Sequence, residues 1–281
     1  MNNDPRMQAL SEFLTAHRAR LTPQAVGLPA GGRRRTPGLR REEVAQIAGV
    51  STTWYTWLEQ GRDIRMSAQV LERIAFALQL NEEERRYLFT LALEQPASAR
   101  AEAPEAELSP ALRLIVDELR FCPAIISDRQ CGIVGWNRAA AAVFMDFAHV
   151  PAEERNLIWL LFTRKELRAL AANWEHFVRG FLALFRYYYG KYVGDAWYGE
   201  FIDRLSRHNG EFRSLWDIND VSSAPEVRIE FRHSKAGKML FDLTSLQVQG
   251  ASDLRCSIYT PSPGSDTEAK MKRLMSRLSE K

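Results

Sequence analysis

The sequence predicts an α+β protein in which an all-helical, five-helix head precedes an antiparallel sheet domain with a helical cover. Apolar residues recur at helical spacing in five segments of about the first ninety residues, a stretch near residue 100 loses its apolar residues, and beyond residue 220 the period becomes alternating. At 281 residues the chain exceeds the roughly 200 to 250 residues after which single cores tend to split, so two domains are expected. Hydrophobic residues at 46% and charged residues at 26% are the balance of a chain that buries real cores, which excludes disordered and fibrous classes.

The first helix carries Met7, Leu10, Phe13, Leu14 and Leu21 on one face until Pro23 and the stretch from Gly27 to Gly32 break it. Between Arg41 and Gln60, apolar Val44, Ala45, Ala48, Val50, Tyr55 and Leu58 are interrupted by Gly49 and Ser51, the pattern of two short helices that meet. Ser67 can cap a fourth helix bearing Val70, Leu71, Ile74, Ala75 and Leu78. Asn81 with Glu84 makes a capping-box start to a fifth bearing Tyr87, Leu88 and Leu91. The head is therefore expected over 1–94. Residues 95–110, rich in Ala, Glu and Pro, form a solvated connector.

The second domain is expected over 111–264, with a C-terminal helix or tail over 265–281. After a helix around Ala111 to Arg120, the apolar runs Ala124 to Ser127 and Gly132 to Trp136 flank the turn-prone Asp128 to Cys131, as in a hairpin. The longest helical element of the middle places Leu167, Leu170, Ala171, Trp174, Phe177, Val178, Phe181 and Phe185 on one face. Val227, Ile229 and Phe231 alternate with Arg228, Glu230 and Arg232, then come Met239 to Val248, then Leu254, Cys256 and Ile258. Three antiparallel strands with turns at Ser234 to Gly237 and Gly250 to Asp253 are the simplest reading.

Charge is distributed unevenly. Between Met1 and Arg65 stand ten Arg and no Lys against six acids, a local excess of 10 − 6 = +4 that exceeds the net +3 of the whole chain. Arg33, Arg34 and Arg35 beside Gly31 and Gly32 suit a flexible basic segment on phosphates, or equally a solvated loop. In a helix-turn-helix the first helix needs a small residue at its contact with the second and a turn-permissive residue where the chain reverses, and Ala45 and Gly49 meet both demands. Ser51 sits where it can cap the second helix. Thr52, Thr53, Thr56, Trp57 and Gln60 are left on the outer face, where such side chains approach base edges in the major groove of a double-stranded DNA operator. Arg40, Arg41, Arg62 and Arg65 flank the motif and suit phosphate contacts that set orientation.

Residues 36–62, TPGLRREEVAQIAGVSTTWYTWLEQGR, resemble the Cro/CI-like (XRE) helix-turn-helix regulators, and in detail their MmyB-type branch, in which the Leu-Glu-Gln-Gly ending, here Leu58 to Gly61, closes the recognition helix. The likeness continues past the connector. PAIISDRQCGIVGWNRAA (residues 123–140) is similar to the opening hairpin and helix of PAS-like folds. RNLIWLLF (155–162), EFRSLWD (211–217) and IEFRHSKAGKMLFDLTSL (229–246) resemble the MmyB-type ligand-binding domain. Asn219 stands where many relatives have His, Ser234 replaces a common Pro, and Leu243 a common Tyr. The resemblance implies a helix-turn-helix head, a PAS-like antiparallel sheet domain with helical cover, and a pocket for a fatty-acid-like small molecule.

Aromatic bulk in the middle helices, including Trp159, Trp174, Phe177 and Phe181, with Trp216 further on, is compatible with an apolar cavity, although such a stripe at helical spacing is more often plain core. A carboxylate headgroup needs a buried cation or amide, for which Asn156, Arg213, Arg232 and His233 are the candidates. Arg232 alternates outward and His233 ends a strand, so solvent and a turn are their plain readings. The function expected is a homodimeric DNA-binding regulator whose second domain senses such a ligand, the alternative being a second domain that only mediates dimerisation or partner contact.

A haem or flavin sensor using His149 or His176 is a rival, although Cys-x-x-Cys-His is absent and no cofactor is expected. No Gly-x-Ser-x-Gly, P-loop, His-Glu-x-x-His or Gly-x-Gly-x-x-Gly occurs, so no enzyme and no metal site is expected. Cys122, Cys131 and Cys256 fit neither a disulfide framework nor a metal knuckle and read as reduced thiols, with Cys131 a redox-sensor candidate. No run approaches the roughly 20 apolar residues of a membrane span, and residues 1–7 lack a signal peptide's apolar stretch, so a cytoplasmic protein without membrane contact is expected.

Overall fold

The computed structural model describes residues 4–29, 38–93, 108–222, 228–248 and 254–279. The basic run 33–35, most of the connector and the expected turn at 250–253 lie outside them. Two compact units are present, one formed by the first 99 residues with Arg186–Ser223, the other by Arg100–Phe185 with Ala224–Lys281.

In the first unit the five expected helices are α1 (Pro5–Arg20), α2 (Arg41–Ala48), α3 (Thr52–Glu59), α4 (Ala68–Ala77) and α5 (Glu82–Ala92). Their boundaries follow from capping chemistry. Asp4 accepts from the Arg6 amide ahead of α1, with Pro5 pre-set for the first turn. Ser51 accepts from Trp54 N at 3.1 Å and Ser67 from Val70 N at 3.3 Å. Asn81 accepts from the Glu83 and Glu84 amides, and Glu84 reaches back to Asn81 N at 2.9 Å. Gly49 ends α2 at φ +66°, a left-handed conformation that glycine adopts without a Cβ clash. The apolar faces meet in one core built on Phe13, Leu39, Val44, Tyr55, Leu58, Leu71, Ile74 and Leu88.

The same unit holds residues 186–222, comprising the end of α10 (Trp174–Lys191), α11 (Ala196–His208) and α12 (Gly210–Trp216). The sequence groups this segment with the sheet domain.

The second unit is a five-stranded sheet of β1 (Ala124–Ser127), β2 (Ile133–Trp136), β3 (Arg228–His233), β4 (Gly237–Gln247) and β5 (Arg255–Pro261) in the order β2-β1-β5-β4-β3. Every pairing is antiparallel. Because side chains alternate across a pleat, Ala124, Ile126 and Cys256 share one face and Ile125, Ser257 and Tyr259 the other. The first face is covered by α6 (Pro110–Glu118) through Val116. The helices α7 (Arg138–Val143), α8 (Leu157–Thr163), α9 (Lys165–Leu170) and α13 (Thr267–Ser279) complete the unit with the first part of α10.

Asn137, buried between elements, accepts from Ala124 N and Ala140 N and donates to the carbonyls of Val116, Leu119 and Cys122. One amide thereby ties α6, β1 and α7 together. The helix expected from Leu167 to Phe185 is instead two helices. Between α9 and α10 the chain leaves helical geometry so that Ala171 bridges Phe231 and Ala172 N donates to Glu230 O at 3.0 Å, pairing with part of the outer edge of β3.

Candidate functional site

The recognition face rests on a helix anchored from within. Tyr55, Leu58 and Glu59 of α3 are buried, while Thr52, Thr53, Trp57 and Gln60 are exposed and Thr56 is half-buried. These five outer residues share one side, as offsets of one, four, five and eight from Thr52 require. The Thr56 hydroxyl donates to Thr52 O at 2.7 Å, so towards DNA it can act only as an acceptor or through its methyl. The Arg62 guanidinium lies 5.4 Å from the Trp57 ring centroid, a cation stacked on an exposed aromatic. Arg40, at the start of α2, is exposed and pairs with Glu42 at 3.3 Å, and Arg65 is exposed beyond α3.

Behind this face stands Glu59, 3% exposed. Its carboxylate accepts from Thr15 Oγ1 at 2.9 Å, from Arg18 Nε at 2.9 Å and from Arg41 Nε at 2.7 Å. The Arg18 Nη1 also donates to Leu39 O at 2.7 Å. Burial opposes ionisation of Glu59, but the hydrogen bonds from Arg18 and Arg41 outweigh it and hold the carboxyl below its ordinary value. Arg41 is fixed through its Nε while its side chain stays 46% exposed. The guanidinium is thus aimed outward from the foot of α2 by a carboxylate on the recognition helix.

In the sheet unit a cavity of about 20 Å³ is lined wholly by apolar or aromatic residues, among them Ile125, Phe144, Leu161, Leu170, Phe177 and Tyr259. A drug-sized ligand needs roughly 300 to 1,000 Å³, whereas a space of about 20 Å³ holds a water-sized group. Of the aromatic residues singled out from sequence, Phe177 reaches this cavity. It stacks edgewise on Phe181 at 5.0 Å and Phe231 at 5.6 Å, and it neighbours Trp174 at 6.4 Å. Trp159 is half-buried on α8, its amide donating to Asn156 Oδ1.

The candidate headgroup partners are dispersed. Asn156 is buried, but its Nδ2 donates to Gln130 O at 2.7 Å and its Oδ1 caps α8, so the amide is spent on structure. His233 accepts at Nδ1 from Lys235 N and Ala236 N and donates from Nε2 to Ala142 O at 3.2 Å, which makes it neutral and a brace for the β3–β4 turn. Burial lowers its pKa, in keeping with that state. Arg232 is exposed, 3.9 Å from Glu230. Arg213 is exposed on α12, and Trp216 packs at 5.8 Å from Tyr189; both belong to the first unit.

His149 and His176 are exposed. Cys131 and Cys256 are buried and Cys122 half-buried, all free; burial pushes the Cys131 thiol far up, away from the thiolate a redox sensor needs. Among the described residues no group of three potential metal ligands occurs, and no helix is long and apolar enough to cross a membrane.

Residues 9–88 match the helix-turn-helix domain family. Residues 108–274, more than half of the chain, match the MmyB-like transcription regulator ligand binding domain. The chain belongs to the MmyB-like transcription regulators. No curated protein matches it. In this MmyB-like regulator the helix-turn-helix match covers α2 and α3 with the Glu59 cluster, and the ligand-domain match covers the cavity.

Sequence reading missed the role of Glu59. A charged residue between Leu58 and Gln60 on an amphipathic helix reads as solvated, and its partners Thr15 and Arg18 lie 44 and 41 residues away. It also missed Phe144, Leu157, Leu161 and Tyr259, which come together only when the short helices fold onto β1 and β5; the spacing of Leu157 and Leu161 was the available signal.

Proposed function

We propose that this regulator reads a double-stranded operator through Thr52, Thr53, Thr56, Trp57 and Gln60, with Ser51 fixing the start of α3. Arg40, Arg41 and Arg62 take the flanking phosphates. The observation that carries the reading is the exposure of Thr52, Thr53, Trp57 and Gln60, with half-buried Thr56 between them, on one side of a helix whose other side is locked by Tyr55, Leu58 and Glu59. Two copies place two such helices on successive half-sites, so a homodimer on a near-palindromic site is part of the proposal. Fluorescence anisotropy with labelled duplexes tests it. Thr53→Ala and Gln60→Ala relax discrimination between sequences, whereas Arg62→Ala weakens all duplexes and flattens the salt dependence. Equal loss on all sequences for the three variants overturns the division of roles.

For the sheet domain the proposal is a sensor of a small apolar or fatty-acid-like molecule, in a PAS-like fold. Its support is the wholly apolar lining of the cavity and the membership of a ligand-binding family. Such an occupant must widen the space by moving side chains such as Phe144 and Phe177. Native mass spectrometry of the purified protein is expected to show an added mass of one acyl-chain-sized molecule. A bare chain after purification, unchanged by added fatty acid, favours the second reading, a domain for dimerisation or partner contact alone. That reading is supported by the cavity's size of about 20 Å³.

A further inference from the structure

The region matched as a ligand-binding domain contains a segment that packs elsewhere. We infer that residues 186–222 complete the DNA-binding head, and that the surface formed by α1 and α5 is a docking face built for them. Val221 is 5% exposed within the head's own core, and Tyr187, Tyr189 and Val193 pack against that core. At Gly190 the fit is closest. A Cβ there would lie 2.0 Å from Cε2 of Tyr87 on α5, so the backbone of α10 passes directly over the ring. Tyr87 is buried and cannot swing aside, so any side chain at Gly190 forces the helix off α5. Arg20 at the end of α1 pairs with Asp220 at 3.1 Å, fastening the end of the segment.

Arg186 holds the segment in the shape that makes these contacts. It is 2% exposed, donates from Nη1 to Asn219 Oδ1 at 2.7 Å and from Nη2 to Trp216 O, and lies 3.6 Å from the Trp216 ring centroid. Burial lowers its pKa, while Tyr87 on α5 and the carboxylate of Glu12 on α1 favour its charge. A buried charge is costly to desolvate, and here it joins α10 to the exit of α12, just before Asp220 and Val221. Asn219 takes a left-handed φ of +63° at that exit.

Native-state hydrogen exchange on the full-length wild-type protein, without DNA or ligand, tests the assignment. Amides of α5 and of α11 and α12 are expected to open together, with one free energy and one denaturant dependence, distinct from those of β3–β5. If α11 and α12 instead exchange in step with β3–β5 while α5 opens separately, the inference is overturned. In Gly190→Ala, exchange at α5 and at α11 and α12 is expected to rise together by about tenfold while β3–β5 keep their protection. Gly199→Ala, on α11 with nothing within 4 Å of the added carbon, is expected to leave both unchanged. Loosening of α11 and α12 alone in Gly190→Ala contradicts the proposal.

Discussion

At the scale of single residues, Glu59 links stability of the head to its grip on DNA. Its carboxylate balances Arg18 and orients Arg41, so removing the charge leaves a largely buried guanidinium without its counter-ion. Glu59→Gln is expected to cost about 3 kcal/mol in denaturant unfolding, the lower end of the range for breaking a buried pair by removing one partner, since Arg41 is half exposed. Binding should weaken about equally on all duplex sequences, because Arg41 loses its aim and not a base contact. The pH dependence follows from the lowered pKa. A carboxyl held below its ordinary 4.5 stabilises the fold at pH values above that figure, and the benefit is lost as pH falls through the lowered value. Thermal melts from pH 7 to pH 3 should show an acid limb in the wild type that Glu59→Gln flattens; an unchanged limb would place the acid sensitivity elsewhere. None of this was legible from the residue itself, since its partners stand on α1 and α2 and the reason for its burial is tertiary.

At the scale of elements, boundaries set by local chemistry were readable and those set by distant pairing were not. Ser51, Ser67 and Asn81 cap the helices that their positions predict, because a side-chain oxygen needs only the two or three amides that follow it. Ser51→Ala is expected to lower unfolding free energy by about 1 kcal/mol and to loosen the start of α3, read as faster amide exchange at Trp54 and Tyr55. The break before α10 was hidden because Leu170, Ala171 and Ala172 are good helix formers, and the chain gives up a turn only to reach β3. Asn137 joins three elements of the sheet unit, its Oδ1 accepting from two amides and its two Nδ2 hydrogens shared among three carbonyls. Asn137→Ala takes the acceptor from Ala124 N and Ala140 N and the donor from Cys122 O, while Val116 O and Leu119 O keep the backbone donors Leu119 N and Cys122 N, so a loss of about 2 kcal/mol or more by chemical denaturation is expected. A loss below about 1 kcal/mol would mean that water replaces the amide.

At the scale of the whole molecule, the α+β class and the order of head before sheet follow from the change of apolar period, and the strand order β2-β1-β5-β4-β3 from pairings that no local pattern contains. The five helices of the head and the outward face of α3 were legible because one amphipathic pattern fixes both core and surface. The placement of 186–222 with the head was not, since Gly190 and Asp220 meet Tyr87 and Arg20, more than a hundred residues away, and buried Arg186 meets Trp216 and Asn219 at separations of 30 and 33. The cavity was only partly legible, because Phe177 lies on a clear stripe whereas Phe144 and Tyr259 come from short elements. The central claim, a sequence-reading head on α3, is tested most directly by selecting bound duplexes from a random pool with the purified full-length protein and with Gln60→Ala. A near-palindromic motif should be enriched by the wild type and lose preference at defined positions in both half-sites of the variant. Enrichment of no motif, or of the same motif with undiminished preference by the variant, would contradict the account.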